Sequence, residues 1–440
     1  MNKILNKKCC TYAIIGLFII MIFFPITNSN FLNNTVLENK KSGDNIPLPT
    51  PLQLDVNLEE ALMKRMSVRE FKEDPVTDEE LATVLWAAYG KTSDGTYTIP
   101  KINGQYSTVI YICREDGVYT YDPDEHALIY YKEGDYRDEV GWQWSAPIQI
   151  GLCWNSDIAD ENLASVELGA VGQNIYFSAI SIGLGTVITA QTPNPAIKPI
   201  GLPENHKGMG LMPLGHPTKN YDFVKRPFWI SLLPKISFSE MNLEETYQAY
   251  EQVTTWNSDK ISRKDLSQLL WSSYGYSYYI DESQFDVNII KRHRTVPSAH
   301  GYYPLSIYAI NKNYIVEYFY GMIGVDKIGL PILSFLSLKK IGDHRQNIAE
   351  ASEEYLAEAP LLIIPVLEIE RANQRDDLSG ENLRWIWYYE AGACAHNILL
   401  QATTKNLAGN IATINDKDSI CATLGLDNEK FDPLIIIAVG

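Results

Sequence analysis

The run Val-Thr-Asp-Glu-Glu-Leu-Ala-Thr-Val-Leu-Trp-Ala-Ala-Tyr-Gly at residues 76–90 decides the fold, because a second version of it starts 185 residues later. This second run, at residues 261–275, reads Ile-Ser-Arg-Lys-Asp-Leu-Ser-Gln-Leu-Leu-Trp-Ser-Ser-Tyr-Gly. A later set recurs with identical internal spacing at an offset of 223: Glu167, Gly169, Asn174, Ala179 and Leu184 return as Glu390, Gly392, Asn397, Ala402 and Leu407. A long internal repeat predicts two tandem structural units, and the larger offset predicts an insertion in the second.

The bulk composition is that of an ordinary globular protein, with 45% hydrophobic and 21% charged residues. A chain of 440 residues has room for two such units. We predict a first domain at 52–226, a connection at 227–245 and a second domain at 246–440. The net charge of −17 argues against a nucleic-acid partner, because phosphate binding needs a clustered basic surface.

The N-terminus has the character of a targeting segment. Three lysines, Lys3, Lys7 and Lys8, precede an apolar run from Tyr12 to Ile26. Residues 1–27 are therefore predicted to be a signal peptide or a membrane anchor, and residues 28–51 a linker. Lysines ahead of the apolar run favour export of the two domains that follow it. Domains that face the cytoplasm are kept as an alternative.

Helix and strand patterns alternate irregularly along both copies, which predicts an α+β fold with an antiparallel or mixed sheet flanked by helices. In the first copy, helices are predicted at 58–66, 77–86 and 166–182, and the second of them begins with a capping box at Thr77. Strands are predicted at 106–113, 118–121 and 146–152. The second copy predicts helices at 266–274 and 389–404 and strands at 305–310, 360–367 and 434–439. Four cysteines in the body (Cys113, Cys153, Cys394 and Cys421) lack metal-ligand spacing and are predicted to be buried.

Two motifs carry a resemblance to a known family. Ser67-Val68-Arg69-Glu70-Phe71 resembles the Ser-x-Arg-x-Phe motif of the nitroreductase family. The stretch from Arg294 to Leu305, which contains Pro297-Ser298-Ala299, looks like that of the family's SagB-type branch, which includes thiazoline-oxidising dehydrogenases. The resemblance implies an FMN-dependent oxidoreductase acting on a small molecule. It also implies a homodimer-like arrangement with flavin between two units, here fused as an intramolecular pseudo-dimer.

The two copies retain different parts of this pattern. Arg69 aligns with Thr254, so the second copy has lost the Ser-x-Arg-x-Phe motif. Residues 297–299 align with Pro-Lys-Ile at 100–102, so the first copy has lost the Pro-Ser-Ala motif. Only the first copy continues beyond its closing strand to Lys225 and Arg226. The complementary losses predict one flavin site per chain, built from both halves.

The resemblance implies which residues form that site. The phosphate is expected on Arg65, Ser67, Arg69 and Lys225 or Arg226. The flavin ring is expected near Arg294, Pro297, Ser298 and Ala299 of the second copy and near Glu167, Leu168 and Gly169 of the first. His300 stands where the branch usually has glycine and is the candidate catalytic residue.

Substrate and electron donor are open at this stage, with NAD(P)H as one candidate donor. Arg384-Trp385 stands near the place of a Lys-Tyr pair found in the SagB-type branch, which puts thiazoline oxidation in doubt. The alternative to an enzyme is a degenerate pseudo-dimer that serves as a flavin-binding or interaction protein. The intramolecular pseudo-dimer predicts that the chain can act as a monomer.

Overall fold

The computed structural model describes residues 43–141, 143–190, 197–221, 223–224, 229–256, 260–280, 292–322, 332–374 and 378–440. The predicted signal or anchor segment at 1–27 lies outside the described residues, as do Lys225 and Arg226. No helix in the described part of the chain has the length and apolar character that a membrane span requires. Residues Lys41–Gly440 form one compact unit.

Ten helices are found among the described residues, and the predicted helices are all present, most of them with ends shifted by a few residues. Their bounds are α1 Leu58–Lys64, α2 Asp78–Tyr89, α3 Arg137–Val140, α4 Glu161–Ser181, α5 Leu243–Ala249, α6 Arg263–Tyr274, α7 Arg345–Glu350, α8 Ile369–Ala372, α9 Arg384–Thr403 and α10 Lys417–Leu424. The capping box predicted at Thr77 opens α2, where Thr77 and Glu80 each accept the other's backbone N–H. Asn242 and Glu245 form the same motif at α5.

The strands of the described residues are β1 Ile46–Pro47, β2 Thr108–Arg114, β3 Gly117–Asp122, β4 Ala127–Lys132, β5 Ile148–Asn155, β6 Gly185–Thr186, β7 Thr189–Ala190, β8 His206–Gly215, β9 Phe223–Val224, β10 Trp229–Ser231, β11 Tyr276–Ile280, β12 Arg292–Arg294, β13 Leu305–Ile310, β14 Tyr314–Met322, β15 Ile332–Ile341, β16 Leu361–Glu368, β17 Gly409–Ala412, β18 Phe431–Pro433 and β19 Ile436–Val439. The first copy's sheet has the order β1-β4-β3-β2-β5-β8-β6. The second copy's sheet has the order β10-β15-β14-β13-β16-β19-β17. Apart from their first strands the two orders correspond, which confirms the tandem α+β prediction.

The central helices of the two copies pack against each other through small residues. A Cβ at Gly169 of α4 would overlap the carbonyl oxygen of Tyr389 on α9. A Cβ at Gly392 of α9 would likewise overlap the carbonyl oxygen of Val166. Since neither glycine carries a side chain, the two helix backbones approach closely, and one hydrophobic core is shared by both copies. This crossing is the interface of the intramolecular pseudo-dimer.

Two predicted boundaries need correction. The linker was predicted to continue to residue 51, but Ile46 and Leu48 are buried, and β1 pairs with β4 at the edge of the first sheet. The connection predicted at 227–245 also has structure, because β10 pairs in parallel with β15 of the second sheet and α5 follows it. Both segments add a strand to the edge of a sheet, and the strand partners lie far away in sequence.

Candidate functional site

The Ser-x-Arg-x-Phe segment lies extended along the edge of the first sheet. The N–H of Val68 donates to the carbonyl of Thr186 at 2.9 Å, and the N–H of Lys72 donates to that of His216 at 2.8 Å. The second copy keeps the first of these contacts, with Val253 donating to Gly409 at 3.1 Å. The backbone frame is therefore common to both copies, whereas the cationic side chain belongs to the first copy alone.

Arg65 lies where this segment meets the second copy. Its side chain is 2% exposed, and its Nε donates to the carbonyl of Arg294 at 2.8 Å. Its guanidinium lies over the ring of Tyr176 at 5.1 Å, while its Nη1 is buried without a hydrogen-bond partner. A buried cation with an unused donor is costly unless an anion or acceptor satisfies it. Arg65 is therefore the strongest anion-binding candidate.

Ser67 and Arg69 follow at alternate positions of the extended segment. The hydroxyl of Ser67 lies 3.3 Å from the Tyr176 hydroxyl, which also accepts the N–H of Ile188 at 2.9 Å. Arg69 is exposed, and its guanidinium lies 5.7 Å from the ring of Trp144. The segment thus presents one buried and one exposed guanidinium with a hydroxyl between them.

The Pro-Ser-Ala segment of the second copy forms a tight loop before β13. His300, Gly301 and Tyr303 have positive φ angles of 50°, 72° and 51°. The Ser298 hydroxyl accepts the N–H of Tyr303 at 2.9 Å, which closes the loop on itself. Pro297 is buried, Ala299 is half-buried and His300 is exposed. A left-handed conformation disfavours histidine relative to glycine, which fits the glycine expected at this position from the resemblance.

The side chain of Arg294, a predicted cofactor contact, is surrounded by tyrosine rings. The residue is 7% exposed, and its guanidinium lies over the rings of Tyr274, Tyr276, Tyr303 and Tyr320 at 4.3 to 5.3 Å. The cation is held by the negative faces of these rings. The part of Arg294 that meets Arg65 is its carbonyl oxygen. Sequence analysis missed this tyrosine cage because its members are distant along the chain.

Glu167, Leu168 and Gly169, which were predicted to lie near the flavin ring, each make contacts within the protein. Glu167 is 1% exposed, and its carboxylate accepts the backbone N–H and the hydroxyl of both Ser107 and Thr108. Leu168 is fully buried in the core, and Gly169 lies against α9. The hydrogen-bonding capacity of the carboxylate is used to fix the start of β2, and burial still raises the pKa of Glu167.

Glu390 is the counterpart of Glu167, but its surroundings differ. Pro304 and Leu305 stand at the positions of Ser107 and Thr108. Proline has no backbone N–H, and the side chain of leucine has no hydroxyl, so two of the donors that Glu167 has are missing around Glu390. One oxygen, Oε1, accepts the Tyr274 hydroxyl, and the other, Oε2, is buried without a partner. Burial raises the pKa of Glu390 to about 7. The replacement of Ser107-Thr108 by Pro304-Leu305 was readable from the sequence and is the signal that could have identified this residue.

The equivalent location on the opposite side of the pseudo-dimer has different residues and is bridged by hydrogen bonds. Tyr250 stands where the first copy has Arg65, and Gln252 stands where it has Ser67. The Gln252 amide accepts the N–H of Lys101 at 2.7 Å and donates to the Lys101 carbonyl at 3.1 Å. Gln252 aligns with Ser67 and Lys101 aligns with Ser298. These two hydrogen bonds therefore join the segments that correspond to the Ser-x-Arg-x-Phe segment and the Pro-Ser-Ala loop. The described residues place no guanidinium at the Arg65 and Arg69 positions of the second copy.

Comparison with known proteins agrees with this architecture. A model of the Nitroreductase family matches residues 62–216 and again residues 255–440. A protein of Methanocaldococcus jannaschii named as a nitroreductase is 32% identical over 198 residues, which are 39% of this chain and 98% of that protein. The NADPH-flavin oxidoreductase of Vibrio harveyi is 25% identical over 234 residues, which are 49% of this chain and 88% of that protein.

One solved structure covers both copies. The crystal structure of a nitroreductase from Anabaena variabilis matches with a TM-score of 0.62, covering 90% of this chain and 93% of that chain. The sequence identity is 15%, so this match shows the fold alone.

Proposed function

The chain belongs to the nitroreductase family of oxidoreductases, and we propose that it is FMN-dependent, with one flavin site formed between its two copies. The observation that carries the proposal is Arg65, a buried cation with an unpartnered Nη1 at the meeting point of the copies. The same position in the second copy is Tyr250, which carries no positive charge. A single anionic cofactor therefore matches the distribution of charge better than two.

The residues present fit FMN. Arg65, Ser67 and Arg69 would hold the phosphate, since guanidinium groups and hydroxyls are favourable donors to phosphate oxygens. Pro297, Ser298 and Ala299 would contact the ring from the second copy. Lys225 and Arg226 stay as predicted phosphate contacts outside the described residues. When bound, FMN supplies hydride transfer, and the protein supplies position and electrostatics.

We further propose NADPH as the electron donor, because the Vibrio harveyi relative carries the name NADPH-flavin oxidoreductase. The Pro-Ser-Ala motif supports a SagB-type member, with a small organic molecule as substrate. His300 is the proposed catalytic residue on the basis of its exposed position in this loop. Its role would be to hold or release a proton at the imidazole near the ring.

The test is flavin stoichiometry together with paired variants. We expect the purified protein to hold about one FMN per chain, measured by absorbance after denaturation. Arg65→Ala and Arg69→Ala each remove a phosphate donor and should weaken FMN binding by about tenfold or more. The matched substitutions Tyr250→Ala and Thr254→Ala should leave FMN binding within about twofold, since they alter the opposite side.

Two outcomes would contradict the proposal. A stoichiometry near two would refute the single site. A protein that takes up no FMN, or whose bound FMN is not reduced by NADH, NADPH or dithionite and reoxidised by an acceptor, would support the degenerate interaction protein instead. Absorbance of the oxidised flavin distinguishes these outcomes directly.

A further inference from the structure

Glu167 and Glu390 occupy equivalent positions in the two copies but have different hydrogen-bond partners. Glu167 is surrounded by donors from Ser107 and Thr108, so that its carboxylate is fully engaged. Glu390 receives the hydroxyl of Tyr274 and leaves Oε2 free. In the copy that carries the Pro-Ser-Ala loop, this glutamate therefore does not receive hydrogen bonds directly from the backbone at the start of the strand.

Tyr274 connects Glu390 to the end of that loop. Its hydroxyl oxygen accepts the N–H of Leu305 at 3.3 Å, directly after Pro304. Its ring packs edge-on against Tyr303 at 5.7 Å, and Tyr303 is bonded to the Ser298 hydroxyl. A change at the Glu390 carboxyl can therefore alter the contacts of Tyr274 with Leu305, at the end of the loop, and with Tyr303, which is bonded to Ser298 at its start.

Several charged and titratable groups face Glu390. Burial raises the pKa of Glu390, and the hydroxyls of Ser298 and Tyr274 and the cations Arg294 and Arg371 oppose this effect. Tyr303 and Cys394 are also close enough for Glu390 to raise their pKa values. Ser298 thus lies beside the carboxyl, although Oε2 itself makes no hydrogen bond.

We propose that Glu390 is a positioning residue for the loop at 297–303, acting through Tyr274 and Ser298, and that proton binding at Oε2 is coupled to FMN binding. This inference rests on the proposed flavin site. Without the proton, Oε2 is a buried, negatively charged acceptor that has no partner and attracts the nearby Ser298 hydroxyl. With the proton, Oε2 can donate, and the Ser298 hydroxyl is free to direct its own hydrogen toward the flavin. The negative charge that would repel an anionic cofactor is removed at the same time.

The coupling predicts that FMN affinity falls as pH rises through the titration of Glu390. We expect the Kd of the wild-type protein, from quenching of FMN fluorescence, to rise about fivefold or more between about pH 6 and about pH 9. Glu390→Gln cannot titrate and should remove this part of the pH dependence. Tyr274→Phe deletes a hydrogen bond that favours the carboxylate, so it should shift the same dependence to higher pH. A merely structural role of Glu390 would not produce both the loss of pH dependence in Glu390→Gln and its shift to higher pH in Tyr274→Phe.

Calorimetry supplies a second readout. Binding of FMN near neutral pH, in buffers of different ionisation enthalpy, should be accompanied by proton uptake that Glu390→Gln abolishes. Glu350→Gln, on the exposed surface of α7, is the matched control and should behave as the wild type. Circular dichroism checks that each variant is folded, and Tyr274→Phe provides an independent test if Glu390→Gln is not.

The two proposals fail in different ways. If the wild-type protein binds no FMN at any pH, the flavin site itself is refuted. If FMN binds but wild type and Glu390→Gln share one pH profile and one proton uptake, the flavin site stands and the role of Glu390 is refuted.

Discussion

Replacing Glu390 with glutamine should stabilise the protein at alkaline pH. Burial raises the pKa of Glu390 from its ordinary value of 4.5 to about 7. At pH below 4.5 the carboxyl is protonated in both folded and unfolded chains, so its full contribution to stability is present. That contribution is lost as pH rises through about 7, because the folded state must then hold a buried carboxylate. Since one pKa unit corresponds to 1.36 kcal/mol, the loss is about 3 kcal/mol.

Glutamine at this position keeps the shape of the side chain and an oxygen that can accept the Tyr274 hydroxyl, but it does not titrate. The free energy of unfolding of Glu390→Gln, relative to wild type, should therefore increase by about 3 kcal/mol between about pH 5 and about pH 9. The remaining pH dependence, due to other groups, should be common to both proteins.

The matched substitution Glu167→Gln should have the opposite result. Glu167 accepts hydrogen bonds from Ser107 and Thr108 with both carboxylate oxygens. The amide NH₂ of glutamine would face one of these donors, which leaves buried donors unpaired and costs about 2 to 4 kcal/mol. This variant should be destabilised at neutral pH. Because burial raises the pKa of Glu167 as well, its deficit relative to wild type should become smaller as pH rises.

Urea unfolding followed by tryptophan fluorescence at a series of pH values measures all three proteins. Parallel curves of unfolding free energy against pH for wild type and Glu390→Gln would refute the reasoning, because they would show that Glu390 has equal proton affinity in the folded and unfolded chains. A stable Glu167→Gln protein would refute the assignment of the donors at the start of β2.

Three further predictions concern other features. Gly169→Ala should reduce the unfolding free energy by about 3 kcal/mol or more, because its Cβ would overlap backbone atoms of α9; Gly183→Ala, which has open space but a φ of +83°, should cost about 1 kcal/mol in the same urea assay. Gln252→Ala should lower stability by about 1 to 2 kcal/mol through loss of its bonds to Lys101, with the FMN content of the purified protein unchanged. His300→Gly should relieve the left-handed strain and raise the Tm, and, if His300 is catalytic, should lower kcat in steady-state assays with NADPH.

Much of the fold followed from local patterns. Hydrophobic periodicity, the Thr77 capping box and the recurrent Leu-Trp-Tyr-Gly run located the main helices and several strands. The four body cysteines are free and buried, as predicted. These features are encoded within short segments, because a cap or an amphipathic face needs only residues a few positions apart. The edge strands β1 and β10 were not predicted, because the strands they pair with lie far away in sequence.

The candidate site was predicted unevenly for the same reason. The sequence identified the guanidinium-bearing segment at 65–69 and the loop at 297–299 as features that only one copy retains. It could not show that Arg294 turns into a cage of tyrosines, since these come from α6, β11, β14 and the loop before β13. Nor could it show the pairing of Gln252 with Lys101, which bridges the opposite side.

The sequence by itself determined that the chain is a duplicated α+β unit with unequal copies, because repeats, caps and periodicities are local properties. The tertiary structure decided which contacts each recurring position makes. Glu167 and Glu390 occupy the same place in the repeat, yet one fixes a strand and the other keeps a free, buried oxygen. The difference arises because the donors around a buried carboxylate come from distant segments, and only folding brings Ser107-Thr108 or Pro304-Leu305 beside it.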